Sequence, residues 1–189
     1  DDTVLVTHTK NPVRKIRTLL TKNAHKRKIV SEMKDLYHHF SDQGYAFFYV
    51  SNSEANLYPM IRLFLEHQKL PLGPLFLKSF KKWKSLLRGR KHKDRGYHKK
   101  EKIRQLMETF PDMEFILIGD DSQQDPEIYS YFAKNYPDRI RHILIRKVKK
   151  KLTRMRLEGK EDLLEKHNVG ITYFKNPSEV LNSAEKIVN

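Results

Sequence analysis

Three short polar segments of this chain sit beside apolar runs of strand length. Asp1-Asp2-Thr3 precedes Val4-Leu5-Val6, Ser51-Asn52-Ser53 follows Ala46 to Val50, and Gly119 to Asp125 follows Phe115 to Ile118. A fourth polar element is Lys99, next to His98 where a helical pattern begins. In an open parallel sheet such groups gather beyond the carboxyl ends of the strands. Carboxylates, a hydroxyl and an ammonium group meeting at one strand edge suit magnesium-assisted phosphoryl transfer. The carboxylates hold a hard cation through oxygen, and the hydroxyl and ammonium steady the charged phosphoryl oxygens. Taken singly, each residue has a plainer reading. An acidic pair at a strand end also caps helices, Ser51 suits a turn, and Lys99 stands in a run of lysines.

Positioning these groups requires alternating strands and helices. Thr3–Val6 reads as the end of a first strand, and Ala46–Val50, Phe115–Ile118, Ile143–Ile145 and Ile171–Phe174 read as further strands, apolar or β-branched as expected when both faces are covered. Helical stripes appear at Ile29, Met33, Leu36 and Phe40, at Leu57, Met60, Ile61 and Phe64, and at Ile103, Leu106 and Phe110. Pro126 to Tyr136 and Pro177 to Val188 each open on a proline that suits a first helical turn. The expected fold class is α/β, a three-layer, mostly parallel Rossmann-like sheet. Without repeats or a Gly/Ser linker, residues 1–189 read as one domain with a basic insertion near 78–98.

Composition narrows the partners. The 189 residues carry 38 Lys and Arg against 23 Asp and Glu, a formal charge of +15, which favours anionic partners. Cysteine is absent, excluding disulfide frameworks, Cys-based zinc sites and thiolate catalysis. His8, His25, His38 and His39 lack zinc-site spacing. No apolar run approaches bilayer length and no secretory leader is read at the start, so the expectation is cytoplasmic, with peripheral membrane association. The stretch 78–102 is the most basic, its only acids being Asp94 and Glu101. Within it Lys81, Lys82, Arg88 and Arg90 are expected to meet anionic lipid, at about 1 kcal/mol each. Trp83, Leu86 and Leu87 suit either shallow insertion or core packing. Nucleic acid would also satisfy the charge, but no helix-turn-helix, zinc-finger or aromatic RNA-binding signature is present, so none is expected.

In this order the motifs resemble the haloacid dehalogenase-like superfamily, whose pattern is Asp-x-Asp-x-Thr, then Ser/Thr, then Lys, then Gly-Asp-x-x-x-x-Asp. More finely, the chain is similar to the actin-patch-protein-type phosphatidate phosphatases. The similar segments are Asp1-Asp2-Thr3-Val4, Phe48–Ser53, Leu70-Pro71-Leu72-Gly73-Pro74-Leu75, His98-Lys99, Phe115–Asp120, Asp125–Tyr129, and Tyr136–Arg139 leading to Ile145-Arg146. The resemblance implies a haloacid dehalogenase-like fold with a minimal or small cap. It also implies a Mg²⁺-dependent phosphomonoesterase that takes phosphatidate to diacylglycerol and phosphate through an aspartyl-phosphate. Asp1 matches the second Asp of the first motif, so the nucleophile is expected two positions ahead of it. On this pattern Asp1 is general acid and base, and Ser51 and Lys99 hold phosphoryl oxygens. Asn52 and Ser53 line the substrate, and Asp120 binds Mg²⁺ with the backbone carbonyl of Asp1 and the nucleophile. Asp125 is either a further ligand through water or the residue that orients Lys99. Asp121 stands where the family has Ser, as a modifier of metal affinity or a harmless extra charge. The expected partner is an anionic phospholipid at a membrane surface. The rival readings are a phosphatase for a nucleic-acid end or soluble metabolite, and a catalytically silent anionic-lipid-binding module.

Overall fold

The computed structural model of the protein describes residues 24–79, 96–148 and 169–182. The expected first strand, Asp1 and the cations Lys81, Lys82, Arg88 and Arg90 lie outside the described residues. The chain separates into two compact units. One holds the described residues from Tyr37 to Phe110, the other those up to Leu36 and from Pro111 onward. Helix α1 (Ala24–Asp42) runs through this division, with Met33, Leu36 and Phe40 of the expected stripe buried and Tyr37 buried beside them.

In the unit from Tyr37 to Phe110, strand β1 (Tyr49–Glu54) pairs in parallel with β2 (Leu75–Lys78). A parallel pair needs a crossover, supplied by the 3₁₀ turn Ala55–Leu57 and helix α2 (Tyr58–His67). Strand β1 begins later than the apolar run Ala46–Val50 suggests, so Ser51, Asn52 and Ser53 lie within the strand rather than after it. The partner segment explains this. Pro71 and Pro74 precede β2 and have no amide to extend a ladder. The Tyr49 amide instead donates to the Pro74 carbonyl at 2.9 Å. The Tyr49 hydroxyl donates to the Pro71 carbonyl at 2.7 Å, and burial raises its pKa well above the ordinary phenol value. Gly73 fits there because a Cβ would overlap the Phe47 carbonyl. Helix α3 (Tyr97–Thr109) packs against β1, burying Ile103, Leu106 and Met107. Its capping Phe110 sits 5.4 Å from the Phe48 ring, centroid to centroid.

In the other unit, β3 (Phe115–Asp120), β4 (Ile140–Arg146) and β5 (Gly170–Phe174) form a parallel sheet in that order. Helix α4 (Asp125–Asn135) and the 3₁₀ turn Pro137–Arg139 connect β3 to β4, and the short α5 (Pro177–Leu181) follows β5. Ile143, Leu144, Ile145, Phe132, Phe174 and Val180 make the core, each at most 1% exposed. Alternation along each strand assigns the faces. Leu117, Gly119 and Ile145 share one face, and a Cβ on Gly119 would meet Asp125 and Tyr129 of α4. Asp120, Arg146 and Phe174 are register partners and therefore share the opposite face. The chain is thus an α/β protein with short parallel sheets, consistent with a Rossmann-like arrangement.

Candidate active site

Parallel pairing brings the carboxyl ends of β3, β4 and β5 to one edge, and the acidic motif lies there. Strand β3 runs through Asp120, one turn of helix short of α4, whose first residue is Asp125. Acidic residues in a first helical turn suit the positive end of the helix dipole, and Asp125 and Glu127 both occupy it. The turn folds Asp125 back on the strand. The Asp120 amide donates to Asp125 Oδ2 at 3.3 Å, and the Ser122 amide donates to Asp120 Oδ1 at 2.7 Å. The Tyr129 hydroxyl, one turn along α4, donates to the Ile118 carbonyl at 2.9 Å and fixes the helix to β3. Asp120 is 2% exposed and Asp125 3%.

Asp121 is bonded to the neighbouring strand's backbone, a part the sequence does not suggest. Its amide donates to the Arg146 carbonyl at 3.1 Å, and its Oδ1 accepts the Val148 amide at 2.6 Å. This side chain continues the β3–β4 ladder past the point where the strands diverge. It is a backbone clamp, invisible in the sequence because its partner lies 27 residues on.

The hydroxyl and the lysine belong to the unit from Tyr37 to Phe110. The β1–β2 register shifts between Val50 and Glu54, and at this irregularity Ser51 Oγ accepts the Ser53 amide at 3.0 Å. Ser51 is therefore buried and locally bonded, with Asn52 and Ser53 half-buried beside it. Lys99 is 6% exposed in the first turn of α3. That turn has no acidic residue and no side-chain cap, so its amides and a buried ammonium are electrostatically suited to an anion. The imidazole of His98 bonds the Phe76 backbone and fixes this turn to β2. Its Nε2 is buried with no hydrogen-bond partner among the described residues. Burial is the main cause of its lowered pKa, and the nearby Lys102, Lys78 and Lys99 add to it.

The structure thus joins Asp120 to Asp125, and places Ser51 and Lys99 on two packed elements of one unit. Two buried carboxylates are the oxygen donors a hard divalent cation such as Mg²⁺ takes, and a carboxylate oxygen that accepts one N–H keeps a lone pair for ligation. Among the described residues no three His, Asp or Glu side chains form a ready metal cage. The third ligand expected from sequence, Asp1, lies outside them.

Residues 1–147 match the family model described as phosphatidate phosphatase APP1, catalytic domain. The chain belongs to this family of phosphatase catalytic domains. It is also 30% identical over 102 residues to the phosphatidate phosphatase APP1 of Saccharomyces cerevisiae, covering 53% of this chain. The aligned part spans only 16% of that relative's length. No solved structure matches the chain. Among the described residues no helix is long and apolar enough to cross a membrane.

Proposed function

We propose that the chain is the catalytic domain of a Mg²⁺-dependent phosphatidate phosphatase of haloacid dehalogenase-like fold, both units acting as one catalytic domain. The observation that carries this reading is the buried Asp120–Asp125 pair at the carboxyl end of β3, inside the span that matches the family. Asp120 and Asp125 would hold the cation together with the backbone carbonyl of Asp1 and the nucleophile, and Asp125 is thereby read as a ligand rather than as the partner of Lys99. When bound, Mg²⁺ offsets charge on the phosphoryl oxygens.

The remaining work falls to side chains. The Asp expected ahead of Asp1 attacks phosphorus, and the ester oxygen leaves as Asp1 gives it a proton. Asp1 then takes a proton from the water that releases phosphate. Ser51 and Lys99 bind the phosphoryl oxygens, Lys99 from the uncapped first turn of α3. Asn52 and Ser53 line the substrate on the same strand. The basic segment that includes Lys81, Lys82, Arg88 and Arg90 holds the protein at an anionic bilayer, where the phosphatidate head group lies.

Phosphate release tests this directly, comparing phosphatidate vesicles with 5′-phosphorylated oligonucleotides and sugar phosphates, in protein carrying its natural residues ahead of Asp1. The reading predicts turnover on the vesicles far above the other two. Preference for a soluble ester or an oligonucleotide end transfers the same chemistry to another substrate. Salt-sensitive vesicle binding without phosphate release leaves only a lipid-binding module.

A further inference from the structure

We infer that Arg146 is a positioning residue of the carboxylate site, the buried countercharge of Asp120. Arg146 ends the central strand β4 and is 3% exposed. A guanidinium does not shed its proton, so this is a permanent charge removed from water, which is costly unless it is compensated. Its two register partners show what stands beside it on the neighbouring strands. On the β5 side it faces Phe174, an apolar side chain that is 0% exposed; on the β3 side it faces Asp120, 2% exposed. Register partners in a parallel sheet share a face. The cation and the carboxylate therefore project from adjacent strands toward the same side.

The main chain around Arg146 is held on both flanks. Its carbonyl accepts the Asp121 amide at 3.1 Å, and the following Lys147 amide donates to the Phe174 carbonyl at 2.7 Å. The Val148 amide is held by Asp121. The root of the guanidinium consequently keeps a fixed offset from Asp120. Such a partner steadies Asp120 in the cation-free protein and moderates the negative potential that Asp120, Asp121 and Asp125 create together. This inference rests on Asp120 being the cation-binding carboxylate.

A mutant cycle in the full chain, read as melting temperature with and without MgCl₂, tests it. Breaking a buried charge pair from one side should lower the melting temperature of Arg146→Met by on the order of 10 °C. Adding Asp120→Asn to it should restore at least half of the loss, because the stranded carboxylate is gone. Arg146→Lys, which keeps the charge, should stay within about 3 °C of wild type. Mg²⁺ should raise the melting temperature of Arg146→Met by more than that of wild type, since the cation replaces the missing countercharge. A residue that merely packs would leave the Mg²⁺ increment unchanged. Losses that simply add in the double variant overturn the inference. Should Arg146→Met not fold, recovery of folding in the double variant is the predicted rescue, and failure of the double to fold overturns it. If wild type gains nothing from Mg²⁺, the metal reading itself fails; if wild type gains but the cycle is additive, only the role of Arg146 fails.

Discussion

The carboxylate of Asp125 lies against the backbone of Gly119, so closely that a methyl group at Gly119 would overlap Asp125 Oδ2 and Cβ and the ring of Tyr129. Helix α4 can approach β3 only where that strand has no side chain on its near face. The hydrogen bond from the Asp120 amide to Asp125 depends on this approach. Gly119 sets how closely the Asp125 carboxylate approaches the backbone of Asp120.

Gly119→Ala should therefore damage the site as well as the fold. Overpacking of this kind costs about 1–3 kcal/mol, or roughly 2–12 °C in melting temperature for a chain of this size. Phosphate release by the folded fraction should fall at least about tenfold, because Asp125 must move away from Asp120. Thermal melting with specific activity checks both parts. A variant that melts lower but turns over normally would show that the Asp120–Asp125 spacing is not critical.

Asp121 differs from its acidic neighbours in needing an acceptor oxygen rather than a charge. Asp121→Asn retains an oxygen for the Val148 amide and should keep most of its stability and activity. Asp121→Ala strands that amide and should cost about 1–3 kcal/mol in urea unfolding. Loss of turnover in Asp121→Asn as severe as in Asp120→Asn would make Asp121 a metal ligand instead of a clamp.

Acid should weaken the fold partly through His142. Burial lowers its pKa, its Nε2 lies 2.9 Å from Thr172 Oγ1, and a Cβ on Gly170 would overlap its ring. His98 is lowered in the same direction, again chiefly by burial. For each, the unfolded chain binds a proton at a pH where the folded chain does not. Their stabilisation is fully present above about pH 6.5 and is lost as the pH falls below it toward the lowered folded-state value. Melting temperature followed from pH 7.5 to pH 5 should drop less in His142→Gln than in wild type. Parallel curves for the two proteins would remove His142 as a source of acid sensitivity.

Neutralising Lys81, Lys82, Arg88 and Arg90 together should weaken binding to anionic vesicles. At about 1 kcal/mol for each engaged cation, the effect reaches roughly a thousandfold if all four participate. Hydrolysis of a small soluble phosphomonoester should be unchanged. Equal loss on vesicles and on the soluble ester would put this segment at the active site or in the core.

How much of this the sequence reveals depends on the range of the interaction involved. Strand β5 and the apolar centres of β3 and β4 are legible because runs such as Ile143–Ile145 advertise burial on both faces. Asp120 and Asp125 are legible because a local motif sets their separation. Strand β2 is not, since its four residues sit between a proline-bounded turn and a basic run, with only the pairing to β1 making them a strand. The late start of β1 is equally hidden, because the prolines that delay it lie on the partner segment. Leu70 to Leu75, a segment similar to the phosphatase family's, carries packing: Tyr49 hydrogen-bonds to Pro71 and Pro74, and Phe47 crowds Gly73. The register of Arg146 with Asp120 is hidden for the same reason. A lone arginine at a strand end means little until the register sets it beside Asp120.

Asp120 is the residue on which the proposed metal chemistry turns. The decisive measurement is phosphate release from phosphatidate vesicles as a function of Mg²⁺, for wild type and Asp120→Asn, both with their natural residues ahead of Asp1. Wild type should turn over only with Mg²⁺ and stop on chelation, while a folded Asp120→Asn should be slower by roughly 10²–10³-fold or more. Turnover by Asp120→Asn at the wild-type rate and with the same Mg²⁺ dependence would contradict it.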